Sequence, residues 1–194
     1  DFKDHGIDLS SVKLNLSQMM KRKEKIVSDL TNGVKFLMNK NKVTTFFGTG
    51  SFVNDNELTV ALNDGGTETI KAKNFIIATG SRPHIPTIPG LKGSPFMTSR
   101  EALRVTDQPK KMLVIGGGYI GLETAAALTK IGVKVTILEA APRILQRVTS
   151  PAVSDFYARV HSEEGVDIVT GVQLESFDGD GRVAKVVCAD GTEY

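Results

Sequence analysis

The segment Gly116-Gly117-Gly118-Tyr119-Ile120-Gly121 sets glycine at the first, third and sixth of its positions. That spacing suits a backbone that must wrap a diphosphate. Gly116 permits a tight turn off a strand, Gly118 leaves no side chain between main chain and phosphate, and Gly121 lets a helix pack close to the strand behind it. Glycines are common in turns, so the pattern takes its weight from its surroundings. The apolar run Met112-Leu113-Val114-Ile115 leads into it as a buried strand, a helix is predicted from Tyr119 to about Ile131, and a second strand, Val133 to Leu138, follows. The start of that helix offers unpaired N–H groups and the positive end of its dipole to an anion. Glu139 closes the second strand, where a carboxylate accepts hydrogen bonds from adenosine ribose hydroxyls. Together these residues form a βαβ unit that grips the pyrophosphate of a nicotinamide dinucleotide. A carboxylate at Glu139 repels an added ribose phosphate, which favours NAD(H) over NADP(H). Arg143 in the next loop is the opposing signal, since it is placed to pair with such a phosphate; its plainer reading is a surface salt-bridge arginine.

The elements that position this unit begin near Pro109. Gly132 stands where a helix C-terminal glycine belongs. A further helix is predicted from Pro151 to Glu164, then a strand from Val166 to Thr170. A hairpin follows, with arms Leu174 to Phe177 and Val183 to Cys188 around Asp178-Gly179-Asp180-Gly181. After the turn at Asp190-Gly191 the pattern shows no compact ending before Tyr194.

Upstream, apolar residues from Leu16 to Met38 recur near a helical period, predicting an amphipathic helix over 14–39 with Ser10 or Ser11 as its cap. Gly33 is expected to bend or fray it. Lys21-Arg22-Lys23-Glu24-Lys25 reads as a solvated face. A short antiparallel meander is expected over 42–73: a strand Val43 to Phe47, an interruption at Gly48-Thr49-Gly50, a strand Leu58 to Leu62, a turn at Asn63-Asp64-Gly65-Gly66, and a return over Thr67 to Ile70. Phe75-Ile76-Ile77-Ala78-Thr79 has the continuous apolar character of a buried parallel strand. Pro83, Pro86, Pro89, Gly90, Gly93 and Pro95 then punctuate a linker. The domain reading is therefore 1–82, a linker at 83–108, and 109–194.

Composition narrows the function classes. A net charge of +2 gives no electrostatic case for nucleic acid or an anionic membrane, and no apolar run is long enough to span a bilayer. The single cysteine, Cys188, excludes a disulfide framework within the chain and reads as a small buried hydrophobe. His5, His84 and His161 are scattered without ligand spacing, so no metal site is expected.

The sequence also resembles a known family. His5-Gly6-Ile7-Asp8, Leu14-Asn15-Leu16, Met19-Met20-Lys21-Arg22-Lys23, Leu30-Thr31-Asn32-Gly33-Val34, Asn39-Lys40-Asn41-Lys42-Val43, Gly48-Thr49-Gly50 and Ile76-Ile77-Ala78-Thr79-Gly80-Ser81-Arg82-Pro83 are similar to the pyridine nucleotide-disulfide oxidoreductases, in particular the dihydrolipoamide dehydrogenases. The resemblance implies an α/β, Rossmann-like flavoprotein architecture with two dinucleotide-binding domains: 1–82 is part of an FAD-binding domain carrying the meander, and 109–194 is an NAD-binding domain truncated at its C-terminus. It also implies FAD contacts at Gly50, Thr79, Gly80 and Ser81. Without it, Thr79 to Ser81 is an ordinary strand-ending turn. On the NAD side it places Tyr119 over the nicotinamide pocket, beside Gly117 and Ile120 of the turn. Glu123 would face the nicotinamide and the flavin, though by itself it is a solvated helix residue. Val172 falls beside the adenine or its ribose, or is equally a core valine at a strand end.

The segments Arg143-Ile144-Leu145, Val148 to Tyr157 and Gly165-Val166-Asp167-Ile168 are more similar to NADH-dependent ferredoxin or rubredoxin reductases, which leaves the electron acceptor open between the two groups. The Cys-x4-Cys couple and His–Glu pair of lipoamide chemistry are not among these residues, and the resemblance places them outside the chain, which is expected to be an internal, inactive piece of a longer enzyme. A dihydrolipoamide-bearing or other redox partner protein, a homodimer at full length, and a cytoplasmic or mitochondrial-matrix location are what the family implies. A reading from another class is a non-catalytic NAD(H)-binding module.

Overall fold

A computed structural model describes residue 11 and residues 13–194, which form two compact units: Gln18–Arg82, and Pro83–Tyr194 with the residues before Gln18. The first unit holds helix α1 (Leu16–Lys40), in place of the expected 14–39. The helix starts beyond the reach of Ser11 as a cap, and Ser10 lies outside the described residues. It also runs unbroken through Gly33. Glycine costs a helix interior roughly 1 kcal/mol, of which the exposed pair of Lys25 with Asp29, at 2.7 Å, offsets a few tenths at most. The apolar stripe is present but unburied: Leu30 is 67% exposed.

Strands β1 (Gly48–Asn54), β2 (Glu57–Leu62) and β3 (Thr67–Lys71) form an antiparallel sheet in that order. The expected strand over Val43 to Phe47 is absent, and the expected interruption is where β1 begins. Pairing explains the shift. Gly48 lies opposite Leu62, the last residue of β2, so residues before Gly48 have no strand to pair with. Gly48 also approaches its partner too closely for a side chain, since a Cβ there would sit 2.2 Å from the Ala61 carbonyl oxygen. The expected strand Phe75 to Thr79 is absent as well. A parallel strand exists only through a hydrogen-bonded neighbour, and among the described residues none lies beside it. Ile76 is 95% exposed, while Phe75 packs edge-on against Phe52 with ring centroids 5.1 Å apart.

The second unit is built on a parallel sheet of β4 (Lys111–Ile115), β5 (Lys134–Glu139) and β6 (Asp167–Thr170), in that spatial order. Helices α3 (Tyr119–Lys130) and α4 (Pro151–Glu163) make the two crossovers. Right-handed crossovers advancing in one direction put both helices on one face. His161 of α4 accordingly sits 3.2 Å from the Leu122 carbonyl oxygen of α3. The central strand β5 is covered on both sides, with Val135, Ile137 and Leu138 buried, and Leu122, Ala125, Ile144 and Val166 close the core around it. Helix α3 ends at Gly132 as the sequence suggests. Gly132 takes φ 89°, and the N–H groups of Gly132 and Val133 return to the Thr129 and Leu128 carbonyls, the Schellman arrangement.

Within the second unit, Leu91 is buried and a four-residue helix, α2 (Ser99–Ala102), is capped by Thr98 and Glu101. Phe177 N–H donates to the Pro89 carbonyl, which ties this stretch to the hairpin of β7 (Leu174–Asp178) and β8 (Lys185–Cys188). The end of the chain is more ordered than its pattern suggests. Val186 and Tyr194 exchange backbone hydrogen bonds at 2.9 and 3.0 Å, and Lys185 meets Glu193 at 2.7 Å. Cys188 is buried on β8, and burial, with a smaller contribution from Asp190, pushes its thiol above the usual range. The reactive thiolate is thus scarcer than in a free cysteine at the same pH. At pH 8.5 an alkylating reagent is expected to label Cys188 slowly in the folded chain and quickly in urea. Equal rates in the two conditions would show that the hairpin does not protect it.

Candidate functional site

The site is assembled at the carboxyl ends of the parallel strands, where an open α/β sheet leaves a crevice. Ile115 ends β4, and Gly116 turns the chain at φ 102°, a conformation that side chains disfavour. Gly116 N–H donates to the Leu138 carbonyl at 2.8 Å, so the turn stays pinned to β5. Gly118 is the N-cap of α3, and Leu122 N–H donates to its carbonyl as the first turn closes. The N–H groups ahead of Leu122 have no partner within the helix.

The glycines differ in what surrounds them. A Cβ on Gly121 would lie 2.1 Å from the Gly116 carbonyl oxygen, so α3 rests directly on the turn. A Cβ on Gly117 would lie 2.8 Å from Ile144 Cγ2 and 3.2 Å from Glu139 Cβ. A Cβ on Gly118 meets nothing within 4 Å. Packing therefore demands glycine at 117 and 121, whereas at 118 it leaves a vacant space beside the helix N-terminus. Gly116, Gly118, Ile120 and Gly121 line a cleft of about 300 Å³ together with Thr98 and Ser99.

Glu139 at the end of β5 is held by two backbone donors. Gly117 N–H reaches its Oε2 at 2.6 Å, and Ala141 N–H reaches its Oε1 at 2.7 Å. A carboxylate has about four acceptor positions, so two remain for hydroxyl groups. Val172 N–H donates to the Glu139 carbonyl at 3.2 Å, which brings the loop after β6 to the same place. The structure thus unites Gly116 to Gly121, Glu139 and Val172. Tyr119 and Glu123 stand one helical turn apart on α3, both exposed. Glu123 lines a second, largely apolar cleft of about 360 Å³ with Ile120, Met97 and Leu103.

Arg143 is held otherwise than in its plainer reading as a surface salt-bridge arginine. Its guanidinium donates to Ser154 Oγ at 2.6 Å and to the Gln146 carbonyl at 3.1 Å, inside the loop that follows β5. Sequence reasoning also missed that loop's grip on the turn. Leu145, at φ 54°, donates its N–H to the Gly117 carbonyl at 2.9 Å, and Ile144 packs on Gly117. The apolar pair Ile144-Leu145 just past the acid is the only trace of this in the sequence.

The FAD residues inferred from resemblance lie in the Gln18–Arg82 unit. Gly50 pairs with Val60 in the meander, and a Cβ there would make ordinary contact with Leu58 at 3.4 Å, so no cradle demands glycine. Thr79, Gly80 and Ser81 are exposed and outside any helix or strand, with Gly80 in the left-handed region at φ 73°. Among the described residues no hydrogen bond joins Gly50 to these three.

A parallel sheet with both helices on one face and a glycine turn at the first crossover defines a Rossmann-like fold. The chain belongs to the pyridine nucleotide-disulphide oxidoreductase family, which it matches over residues 4–194. It is 41% identical to the mitochondrial dihydrolipoyl dehydrogenase of Schizosaccharomyces pombe over 96% of its length and 36% of that protein's. Among solved structures, the HOCl-induced flavoprotein disulfide reductase RclA of Escherichia coli superposes with a TM-score of 0.79 at 28% identity, over 93% of this chain and 41% of that one. The ferredoxin reductase of the CYP199A2 system from Rhodopseudomonas palustris superposes with a TM-score of 0.65 at 28% identity, over 79% of this chain and 40% of that one. The chain thus spans well under half the length of these relatives.

Proposed function

We propose that this chain is the NAD(H)-binding part, with a portion of the FAD-binding part, of a dihydrolipoyl dehydrogenase-type enzyme. Residues 1–82 belong to the flavin domain, 83–108 link, and 109–194 bind the nicotinamide nucleotide. The observation that carries the reading is the vacant space at Gly118 beside the free N–H groups of α3, with Glu139 braced next to it. A pyrophosphate would take the backbone N–H groups at the helix start, and the two spare acceptor positions of Glu139 would take the ribose diol. Tyr119, Glu123 and Val172 would flank the nicotinamide and adenine ends. Gly50, Thr79, Gly80 and Ser81 are offered as flavin contacts on resemblance alone, because the geometry around Gly50 adds no support.

Bound nucleotide and flavin supply the hydride chemistry, and the protein's own part is binding and orientation. A dithiol–disulfide partner is favoured over a ferredoxin by the 41% identity to a dihydrolipoyl dehydrogenase. A redox partner protein, a homodimer of the whole polypeptide, and a cytoplasmic or mitochondrial-matrix location complete the proposal. The test is a fluorescence titration of the chain with NADH and with NADPH. NADH is expected to bind more tightly, and equal affinities would overturn the role given to Glu139.

A further inference from the structure

We infer that Ser154 is a positioning residue for nucleotide specificity: it draws the Arg143 guanidinium into the loop after β5 and so withholds it from a ribose phosphate. The inference rests on the proposed nucleotide site. It starts from an apparent conflict in the sequence, which sets an acid that rejects the phosphate, Glu139, four positions from a cation suited to binding it, Arg143. The geometry resolves the conflict through one buried hydroxyl.

Ser154 lies in the first turn of α4 and is 1% exposed. A serine hydroxyl has one proton to donate and two lone pairs to accept with. Here the Ile144 carbonyl lies 2.6 Å from Oγ and can only accept, so the proton goes there. Arg143 Nη1, 2.6 Å away, can only donate, and it takes one lone pair. Thr149 Oγ1 lies 3.2 Å away, with its own proton within reach of the Leu145 carbonyl at 3.2 Å, so Arg143 is the one neighbour of Ser154 Oγ committed to donating to it. The second guanidinium nitrogen is held by the Gln146 carbonyl. Arg143 is therefore anchored at two nitrogens by groups of its own loop.

The same hydroxyl fixes the loop against the glycine turn. Ile144, whose carbonyl it holds, packs on Gly117, and the adjoining Leu145 N–H holds the Gly117 carbonyl. Losing Ser154 is expected to have two separable effects. Loosening the Ile144–Leu145 brace weakens both nucleotides alike. Freeing the guanidinium strengthens only the one with a phosphate on its ribose. The ratio of the two affinities isolates the second effect.

The experiment measures dissociation constants of NADH and NADPH for the full chain and for Ser154→Ala, Arg143→Ala and the double variant. Ser154→Ala is expected to shift the ratio toward NADPH by about tenfold, the scale of one charge-assisted hydrogen bond. Adding Arg143→Ala should abolish that shift. Arg143→Ala alone should leave the ratio unchanged, and this arm does not depend on whether the serine variant folds. If Ser154→Ala weakens both nucleotides equally, Ser154 acts only as a brace and the inference fails. If Arg143→Ala alone lowers NADPH affinity selectively, the guanidinium already reaches the phosphate, and the inference fails again. If the unsubstituted chain binds neither nucleotide, the nucleotide site itself is wrong and the inference falls with it.

Discussion

Gly121→Ala is expected to lower both the stability of the second unit and its affinity for NADH, whereas Gly118→Ala should lower affinity with a smaller loss of stability. The difference follows from what each added methyl meets. At 121 it would lie 2.1 Å from the Gly116 carbonyl oxygen and 3.3 Å from Val114 Cγ1. A main-chain oxygen cannot turn aside as a flexible side chain can, so either α3 lifts from β4 or the turn opens. Overpacking of this kind costs about 1–3 kcal/mol. Either adjustment displaces the N–H groups that would face the pyrophosphate, and a loss of affinity of about a hundredfold, near 2.7 kcal/mol, is expected. At 118 the methyl meets nothing within 4 Å, and φ −76° suits alanine. Alanine is a poorer N-cap than glycine, by about 0.5–1 kcal/mol, a smaller cost than overpacking at 121, and its methyl occupies the space a phosphate would need. Thermal unfolding and NADH titration of the two variants separate these effects. A Gly121→Ala chain as stable as the parent would mean that α3 and β4 are not in the close contact described. A Gly118→Ala chain with unchanged NADH affinity would remove the pyrophosphate from this turn.

Legibility in the sequence follows how local the determining interactions are. The run from Met112 to Glu139 is read to within a residue or two because each signal acts on its own neighbourhood. The apolar run Met112 to Ile115 forms a strand, half-buried rather than buried and with Ile115 exposed, glycines sit at fixed spacing, Gly132 stops a helix, and an acid ends a strand. Val43 to Phe47 and Phe75 to Thr79 read equally well as strands, but strand formation depends on a partner that composition does not reveal. Gly48 and Gly50 were expected to break a strand and instead sit inside one, because Gly48 is demanded by its approach to Ala61 rather than by a bend. In the proposed site, the residues expected to contact a dinucleotide are legible. The supports are not, because Ala141 and Leu145 act through backbone N–H groups, and any residue type carries one. Arg143 shows the same limit from the other side. Its charge suggested either a phosphate or a surface acid, but its partners are a serine eleven positions on and a main-chain carbonyl.

Replacing Glu139 is expected to have a large effect for a reason beyond the ribose it would bind. Its carboxylate is the partner of the Gly117 and Ala141 N–H groups, one in the glycine turn and one in the loop that closes over it. Glu139→Ala leaves both donors without that acceptor in a half-buried setting, at about 1–3 kcal/mol for each group left unsatisfied. Glu139→Gln keeps one carbonyl oxygen, so it can serve one donor while turning an amide NH2 toward the other. The two variants therefore form a graded series. Glu139→Ala should destabilise the second unit clearly and Glu139→Gln less, while both remove the negative charge that opposes a ribose phosphate. NADH affinity is expected to fall by about tenfold in Glu139→Gln, with NADPH affected less, so that the preference for NADH narrows. Hydrogen exchange at the Gly117 amide distinguishes bracing from direct binding. Without nucleotide, it should accelerate in Glu139→Ala if the carboxylate holds the turn. If exchange is unchanged while NADH affinity falls, Glu139 serves only as a ligand for the ribose. If exchange accelerates while both affinities hold, it is a strut of the turn, and the ribose is recognised elsewhere.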